Sequence, residues 1–321
     1  MRIRRMILAL AGAIILDCDP SMAEAVRFVV FGDMPYDLPR DLVRFADLIE
    51  AGNDLKPDFM VHVGDIKAGG APCTEESYLT VLDLLQRSET PLIYTPGDNE
   101  WTDCRLKSAG SYDPQERLSL LRRIFFPSAH SLGRNPILLD LQSDEPGFAS
   151  YVENRRWRIG EIVFATLHVV GSNNNWGHDA AGNAEHKQRI KAVFAWMDSA
   201  FAEAARNGAG AVVLFFQADP LFQAPFPFRT GFNDFIAALE REVVAFGKPV
   251  LIVHGDSHKL ALDRPLRTPD NEIVRNLIRL VVPGAKLVEG VSITVDPAAD
   301  PPFSFARVPG GERLRAPWGG S

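Results

Sequence analysis

Four short apolar runs in this chain each end in Gly-Asp, and the four aspartates are the residues best placed to do chemistry. They are Asp33, Asp65, Asp98 and Asp256. Such runs are typical of buried parallel strands, and in an open α/β sheet ligands bind beyond the carboxyl ends of the strands. Four carboxylates at one such edge repel each other unless a cation lies among them, so the pattern predicts a metal site.

The composition is that of a globular protein with an ordinary core. The chain has 321 residues, of which 46% are hydrophobic and 23% are charged, and its net charge is −7. An acidic chain argues against nucleic acid as a partner, because binding to the phosphate backbone depends on Lys and Arg. Small phosphorylated substrates remain compatible, since one basic side chain can bind a phosphate. Oligomeric state is not readable from the sequence.

Residues 1–23 have the composition of a secretory signal peptide. Three arginines precede an apolar stretch, residues 6–16, and Ser21-Met22-Ala23 offers small residues for cleavage. We therefore expect an exported protein, periplasmic or secreted, with no stable membrane insertion. Two variants stay open, which are lipid attachment at Cys18 and a twin-arginine signal at Arg4-Arg5.

The cysteines that follow this segment are Cys73 and Cys104, each a few residues beyond a Gly-Asp end. If the two strands are neighbours, both loops lie at one edge of the sheet and the thiols can meet. An oxidising compartment then favours a disulfide, and two free thiols are the alternative.

Strand and helix patterns alternate along residues 24–309, which we expect to form one domain followed by a mobile tail, residues 310–321. Helices are predicted over residues 42–49, after the cap Thr74, after the cap Asp113, and from Asn183. Residues 148–152 and 157–170 predict a hairpin that turns near residues 154–156. Later strands are predicted at residues 212–216, 278–283 and 291–295.

Five sequence blocks follow the strand ends in order. They read Gly32-Asp33-Met34-Pro35, Gly64-Asp65-Ile66-Lys67-Ala68, Gly97-Asp98-Asn99-Glu100, Gln217-Ala218-Asp219-Pro220 and Gly255-Asp256-Ser257-His258. Their order and spacing over residues 26–260 resemble the calcineurin-like metallophosphoesterases. Those proteins carry Asp-x-His, Gly-Asp-x-x-Asp, Gly-Asn-His-Asp/Glu, a His near a Pro, and Gly-His-x-His.

The resemblance implies a fold and a set of metal ligands. The fold is α/β, with two mixed β-sheets packed as a sandwich and helices on the outer faces. Asp33, Asp65 and His258 would hold one divalent metal ion. Asp65 would bridge to a second ion held by Asp98 and Asp256, and Asp219 is a further candidate ligand.

Several family histidines are replaced in this chain. Pro35 stands in the first block, Asn99 takes the place of the catalytic His, Gln217 or a neighbour takes the fourth, and Asp256 the fifth. Oxygen-rich sites favour Mn²⁺, Mg²⁺ or Ca²⁺ over Zn²⁺ or Fe. We expect one or two ions, and the loss of histidines implies that the chain resembles a divergent member of that family.

The activity that the resemblance implies is metal-dependent hydrolysis of a phosphate ester on a small substrate. Lys67 or Arg105 would bind the phosphate, and Asn99 can hydrogen-bond a leaving oxygen but cannot protonate it. Other candidates are histidines that could donate the proton and asparagines that could line the substrate: His168, His178, His254, Asn173 and Asn174.

Other interpretations remain open. A catalytically degenerate member could bind metal or a phosphorylated ligand without turnover, and Pro35 and Asn99 favour that reading. A metal-free interaction domain is the second alternative. A single aspartate at a strand end can simply cap a turn, and His62 and His254, inside their strands, are more typical of structural histidines.

Overall fold

The computed structural model describes residues 25–310, apart from residues 226, 227 and 229. The predicted signal peptide, residues 1–23, and all but the first residue of the predicted tail, residues 310–321, lie outside the described residues. The strands are β1 Val26–Phe31, β2 Phe59–His62, β3 Leu92–Tyr94, β4 Asp140–Leu141, β5 Arg155–Ile159, β6 Ile162–Thr166, β7 Ala211–Phe215, β8 Val250–His254, β9 Ala261–Asp263, β10 Leu277–Val281, β11 Glu289–Val295 and β12 Phe303–Pro309.

These strands form two mixed sheets. The first has the order β12-β11-β1-β2-β3 and the second has the order β4-β5-β6-β7-β8-β10-β9. In the first sheet β1, β2 and β3 are parallel, and in the second β6, β7, β8 and β10 are parallel. Because parallel strands point the same way, the predicted Gly-Asp ends after β1, β2 and β3 lie at one edge of the first sheet.

Aromatic rings fill the space between the two sheets. Phe28 of β1 lies edge-on to Phe164 and Phe215 of the second sheet, with ring centres 5.8 and 5.6 Å apart. Phe59 and Trp157 extend this contact at 5.2 Å. All five side chains are buried, and removing this much apolar surface from water is the main force that holds the sheets together.

The helices cover the outer faces of the sandwich. They are α1 Arg40–Asp54, α2 Glu75–Leu85, α3 Pro114–Phe125, the short turn α4 Gly171–Asn174, α5 Ala180–Arg206 and α6 Asn233–Phe246. Helices α1, α2 and α3 pack on the first sheet, and α5 and α6 pack on the second. The predicted fold class is therefore confirmed. None of the helices in the described part of the chain combines the length and the apolar character needed to cross a membrane.

Local signals explain where several helices begin. Thr74 accepts a hydrogen bond from the backbone nitrogen of Ser77 at 3.2 Å, as predicted for a cap. Asp113 accepts from the backbone nitrogens of Gln115 and Glu116, at 2.7 and 3.1 Å. Helix α5 begins earlier than predicted, because the cap is Asp179 rather than Asn183.

The predicted position of the hairpin turn, near residues 154–156, is wrong. Strands β5 and β6 form the hairpin, and the chain turns at Gly160, whose φ of 54° suits glycine. Arg155 and Arg156 look like turn residues in the sequence, yet both lie within β5. The guanidinium of Arg155 donates to the carbonyl oxygens of Ser128 and His130, at 2.7 Å each, which satisfies its buried charge.

Candidate active site

The two sheets bring the strand-end aspartates together. Asp33, Asp65 and Asp98 follow β1, β2 and β3, and Asp256 follows β8 of the second sheet. The backbone nitrogen of Asp256 donates to Oδ1 of Asp33 at 2.9 Å, which joins the two sheets at this point. Asp33, Asp65 and Asp256 have φ values of 55°, 58° and 73°. Left-handed backbone costs a non-glycine residue energy, and such strain concentrates at functional sites.

The glycines before the aspartates make room for the carboxylates. A Cβ on Gly97 would overlap the carboxylate of Asp65, and a Cβ on Gly255 would overlap that of Asp33. The repeated Gly-Asp pair therefore has a steric cause, because only glycine allows the backbone of one loop to approach the carboxylate of another.

His258 is the one histidine whose polar contacts include a strand-end aspartate in the described part of the chain. Its Nε2 lies 3.5 Å from Oδ1 of Asp33. The Asp33 carboxylate raises the pKa of His258, against the opposing effect of partial burial. The ring of Tyr36 packs edge-on against the imidazole at 5.3 Å.

Tyr36 and Asn99 bind Asp65. The Tyr36 hydroxyl donates to Oδ2 of Asp65 at 2.9 Å, and Nδ2 of Asn99 donates to the same oxygen at 2.8 Å. The backbone nitrogen of Asn99 donates to Oδ1 at 3.1 Å. Burial, followed by the charges of Asp65 and Asp33, raises the pKa of Tyr36 well above its usual value. The sequence reasoning missed Tyr36, although it lies three residues after Asp33 and directly follows the first block.

Ser172 was also missed by the sequence reasoning. Its hydroxyl lies 2.8 Å from Oδ2 of Asp98 and 2.9 Å from Oδ1 of Asp103. Ser172 belongs to α4, and from Ser172 onward four consecutive residues have φ between 49° and 59°: Ser172, Asn173, Asn174 and Asn175. The asparagine run was the available signal, because asparagine tolerates left-handed backbone better than most residues.

The four aspartates share an unfavourable electrostatic environment. Burial raises the pKa of Asp33 and, together with the neighbouring carboxylates, raises the pKa of Asp65 and Asp98 well above the usual value. Burial first, and then Asp33 and Asp219, raise the pKa of Asp256 to about 6. Oδ2 of Asp33 and Oδ1 of Asp98 are buried without a hydrogen-bond partner. A cation would satisfy these oxygens and relieve the repulsion.

The carboxylate oxygens of this site are ligands that suit a divalent cation, although the side chains are not grouped around a single position for such an ion. Within residues 25–225, 228 and 230–310, no three His, Cys, Asp or Glu side chains form a group that could hold a metal ion. Hydrogen bonds from Tyr36, Asn99 and Ser172 explain part of this, because they bind oxygens of Asp65 and Asp98. The fit therefore rests on the unpartnered buried oxygens and on the set of hard ligands.

Asp219 lies beside this cluster. Its backbone nitrogen donates to Oδ2 of Asp256 at 2.9 Å, whereas its own Oδ1 is 3.5 Å from a guanidinium nitrogen of Arg279. Its role as an additional ligand stays a prediction.

Two of the histidines considered as proton donors lie in the interior. His168 is buried, with Nδ1 2.7 Å from Oε1 of Glu153, and His254 stacks on Phe216 at 5.4 Å. Burial lowers the pKa of His168 and lowers that of His254 to about 4. His178 is exposed, with Nε2 3.0 Å from the carbonyl oxygen of Ser172. Within the described residues the hydrogen bonds of the three imidazoles do not reach the four aspartates, so their catalytic role stays a prediction.

Lys67 and Arg105, which were predicted to bind the substrate phosphate, contact other groups in the structure. Nζ of Lys67 donates to the carbonyl oxygen of Ala68 at 3.1 Å, and burial lowers its pKa. Arg105 lies 3.8 Å from Asp103. Their role in binding phosphate also stays a prediction.

The amides of Asn173 and Asn174 hold α4 to the loop that ends at Gly231. Nδ2 of Asn173 donates to the hydroxyl of Thr230 at 3.0 Å, and Nδ2 of Asn174 donates to the carbonyl oxygen of Gly231 at 3.0 Å. Substrate binding by these amides stays a prediction, and their observed contacts are structural.

A disulfide joins Cys73 and Cys104, as predicted, with Cα atoms 5.7 Å apart. It connects the segment after Asp65 to the segment after Asp98. The bridge is buried beside the hydroxyl of Tyr78, and it holds the two loops at the edge of the first sheet.

Comparison with known proteins tests the family resemblance seen in the sequence. The sequence profile described as calcineurin-like phosphoesterase matches residues 26–260. No curated protein sequence matches the chain. A dimetal phosphatase from Danio rerio is similar in structure, with a TM-score of 0.52, 11% identity, and coverage of 88% of this chain and 98% of that chain.

Purple acid phosphatase from yellow lupin (Lupinus luteus) seeds has a TM-score of 0.45 at 14% identity, covering 86% of this chain and 50% of that chain. GAP50 of Plasmodium, described as the anchor in the inner membrane complex, has a TM-score of 0.48 at 8% identity, with 90% of each chain covered. At these identities the likeness of the Danio rerio structure supports the fold, and the profile match supports the family.

Proposed function

The chain belongs to the calcineurin-like phosphoesterase family, and we propose that it hydrolyses phosphate esters at the site around Asp33, Asp65, Asp98 and Asp256. The observation that carries this proposal is the meeting of four buried strand-end aspartates from two sheets. Their raised pKa values and unpartnered oxygens mark a place that a positive charge would stabilise. A small phosphorylated substrate is the class that the family supports.

Asp33, Asp65, Asp98, Asp256 and His258 would hold one or two divalent cations. The likeness to a dimetal phosphatase of Danio rerio supports metal dependence in general. A ligand set of four carboxylates and one imidazole favours Mn²⁺, Mg²⁺ or Ca²⁺ over Zn²⁺ or Fe. When bound, such a cation supplies positive charge that stabilises the phosphoryl oxygens in the transition state.

The chain's own polar groups would orient the substrate. Tyr36 and Asn99 both donate to Oδ2 of Asp65, so these donors lie at a carboxylate that would hold the cation, within the site where a substrate phosphate would bind. The Asn99 amide can donate a hydrogen bond but carries no transferable proton at neutral pH. The Tyr36 hydroxyl carries one, and it is the nearest such group to Asp65 among the contacts described above.

A second candidate function is binding of metal or a phosphorylated ligand without turnover. The observation that favours it is that Tyr36, Asn99 and Ser172 already occupy oxygens of Asp65 and Asp98. In addition, by the resemblance of the third sequence block, Asn99 takes the place of the family's catalytic histidine. Metal content and hydrolysis, measured on the same preparation, distinguish this candidate from a hydrolase.

The test uses the purified mature protein. Metal content is measured by mass spectrometry, and hydrolysis of an aryl phosphate monoester and a diester is followed with Mn²⁺, Mg²⁺ or Ca²⁺. We expect bound metal and hydrolysis in the wild type, and loss of both in Asp65→Asn. Asp270→Asn, an exposed aspartate away from the strand ends, is the matched control and retains both.

The other possible outcomes of this test distinguish between the candidate functions. Hydrolysis that is unchanged in Asp65→Asn overturns the assignment of the site. Metal bound without turnover supports the binding function instead. Absence of both metal and turnover defeats the two metal-dependent functions and leaves the metal-free interaction domain.

We also propose that the protein is exported to the periplasm or secreted. Residues 1–23 have the composition of a signal peptide, and the Cys73–Cys104 disulfide is consistent with an oxidising compartment. Expression of the full chain in a bacterial host should give a processed product outside the cytoplasm that begins near residue 24. An unprocessed cytoplasmic product would contradict export.

A further inference from the structure

An apolar groove lies on the surface of the protein between α1 and α2. Its volume is about 900 Å³. Leu42, Val43 and Ala46 of α1 and Leu79 of α2 line it. Val43 is 65% exposed and Leu79 is 47% exposed, so two large apolar side chains face solvent in one depression. A concentration of this kind is typical of a binding surface.

The rim of the groove is acidic. Asp47 lies on the α1 side, and Glu75, Glu76 and Asp83 lie on the α2 side. The single basic residue among the described lining residues is Arg87, and its guanidinium binds Asp83 at 3.1 Å. The groove therefore combines an apolar floor with a rim of net negative charge.

We propose that this groove binds a basic amphipathic helix of a partner protein. Helices α1 and α2 form the two sides of the groove. A third helix fits between two others when its ridge of apolar side chains packs into the grooves between theirs. Helix α2 has 11 residues, so it is roughly 16 Å long and matches about three turns of a partner helix. Apolar residues at i, i+3, i+4 and i+7 would contact the floor, and Lys or Arg on both sides would reach the acidic rim.

The charge of the rim argues against two other occupants. Two copies of this chain that met through the groove would bring acidic rims together, and like charges at an interface are unfavourable. An anionic membrane surface would be repelled for the same reason. A basic amphipathic partner complements both the apolar and the acidic residues of the groove. The groove shares no residues with the aspartate site, so this inference is independent of the proposed hydrolysis.

The test uses the intact mature protein and a fluorescein-labelled synthetic helix of about 14 residues, with Leu on one face and Lys on the other. Fluorescence anisotropy measures its binding. A peptide with Glu in place of Lys and a scrambled peptide of the same composition are the ligand controls. We expect binding of the Lys helix alone, and weaker binding as salt rises from about 50 mM to about 500 mM.

Substitutions at exposed positions locate the site. Val43→Asp and Leu79→Asp should each weaken binding by about tenfold or more, because each puts a charge on the apolar floor. Glu76→Lys should also weaken it by reversing a rim charge. Val244→Asp is the matched control, since Val244 is 53% exposed on α6, and it should bind as the wild type does. Circular dichroism confirms that each variant is folded.

Three results would overturn the proposal. The first is equal affinity for the Lys helix and the scrambled peptide, which indicates charge attraction alone. The second is unchanged affinity in folded Val43→Asp and Leu79→Asp. The third is binding that occurs only after removal of residues 311–321, which include Arg313 and Arg315, since it would assign the groove to this chain's own segment.

Discussion

The carboxylate of Glu100 accepts a hydrogen bond from the backbone nitrogen of Asp65 at 3.1 Å and thereby ties together the loops after β2 and β3. The same oxygen, Oε1, accepts from the backbone nitrogen of Gly97 and from the hydroxyl of Tyr94, both at 2.6 Å. Glu100 is fully buried. One oxygen therefore holds Asp65 in its left-handed backbone conformation and sets its position beside Asp98.

Glu100→Ala should destabilise the fold by about 2–5 kcal/mol, because it leaves three buried donors without an acceptor. Glu100→Gln should cost less, since an amide oxygen can still accept. Urea unfolding followed by circular dichroism measures both. Glu50→Ala, at an exposed residue in the interior of α1, is the control and should change the free energy of unfolding by less than about 0.5 kcal/mol. Equal stability of Glu100→Ala and the wild type would contradict this role.

Tyr36→Phe should lower the rate of aryl phosphate hydrolysis by about tenfold, because it removes the hydroxyl that binds Oδ2 of Asp65 and contacts Asn99. The ring still packs against His258, so the fold should be retained. Steady-state kinetics of the metal-loaded enzyme gives kcat and KM. Tyr151→Phe, which removes a hydroxyl outside the site, serves as the control. A variant as active as the wild type would exclude a role for the hydroxyl.

Asn174 should contribute to the free energy of unfolding rather than to catalysis. Its Oδ1 accepts from a guanidinium nitrogen of Arg189 at 2.7 Å, and its φ is 56°. Asn174→Ala should destabilise the protein by about 2–4 kcal/mol through the loss of buried hydrogen bonds. Asn174→Gly loses the same bonds but tolerates the backbone, so it should be about 1 kcal/mol more stable than Asn174→Ala. Thermal and urea unfolding compare the two variants, and the reverse order would contradict the strain.

His62 should make the protein less stable in acid. Its Nδ1 accepts from the backbone nitrogen of Gly64 at 3.1 Å, and its Nε2 lies 3.0 Å from the carbonyl oxygen of Met34. Both contacts suit a neutral ring, and burial lowers the pKa of His62 from 6.5 to about 4. Below pH 6.5 the unfolded chain binds a proton that the folded protein does not. Stability is therefore lost as the pH falls from about 6.5 to about 4, by at most about 3 kcal/mol.

The comparison of wild type with His62→Gln isolates this effect. The buried aspartates have raised pKa values and act in the opposite direction, so the wild-type profile alone would mix the two. The difference in unfolding free energy between the proteins should be largest near neutral pH and should shrink as the pH falls toward 4. A difference that is constant with pH would show that His62 does not titrate in this way.

The order of the strand-end blocks was readable from the sequence because each part of that pattern is local. Apolar runs followed by Gly-Asp predicted β1, β2, β3 and β8, and the caps Thr74 and Asp113 predicted two helix starts. Strand β12, residues 303–309, was not predicted, because its stability comes from pairing with β11 rather than from a strong pattern of its own. The misplaced hairpin has the same origin, since the partners of Arg155 are distant in sequence.

The sequence by itself carried the family resemblance that implies a sandwich of two sheets, favoured the disulfide, and supplied four aspartates that would meet if the strands were neighbours. Only the tertiary structure decided that Tyr36 and Ser172 reach those aspartates, that Glu100 holds Asp65, and that His168 is directed into the interior. The physical reason is that steric and hydrogen-bonding preferences of a short segment are written in its own residues. The partners of a buried polar group come from segments far away along the chain, and only packing brings them together.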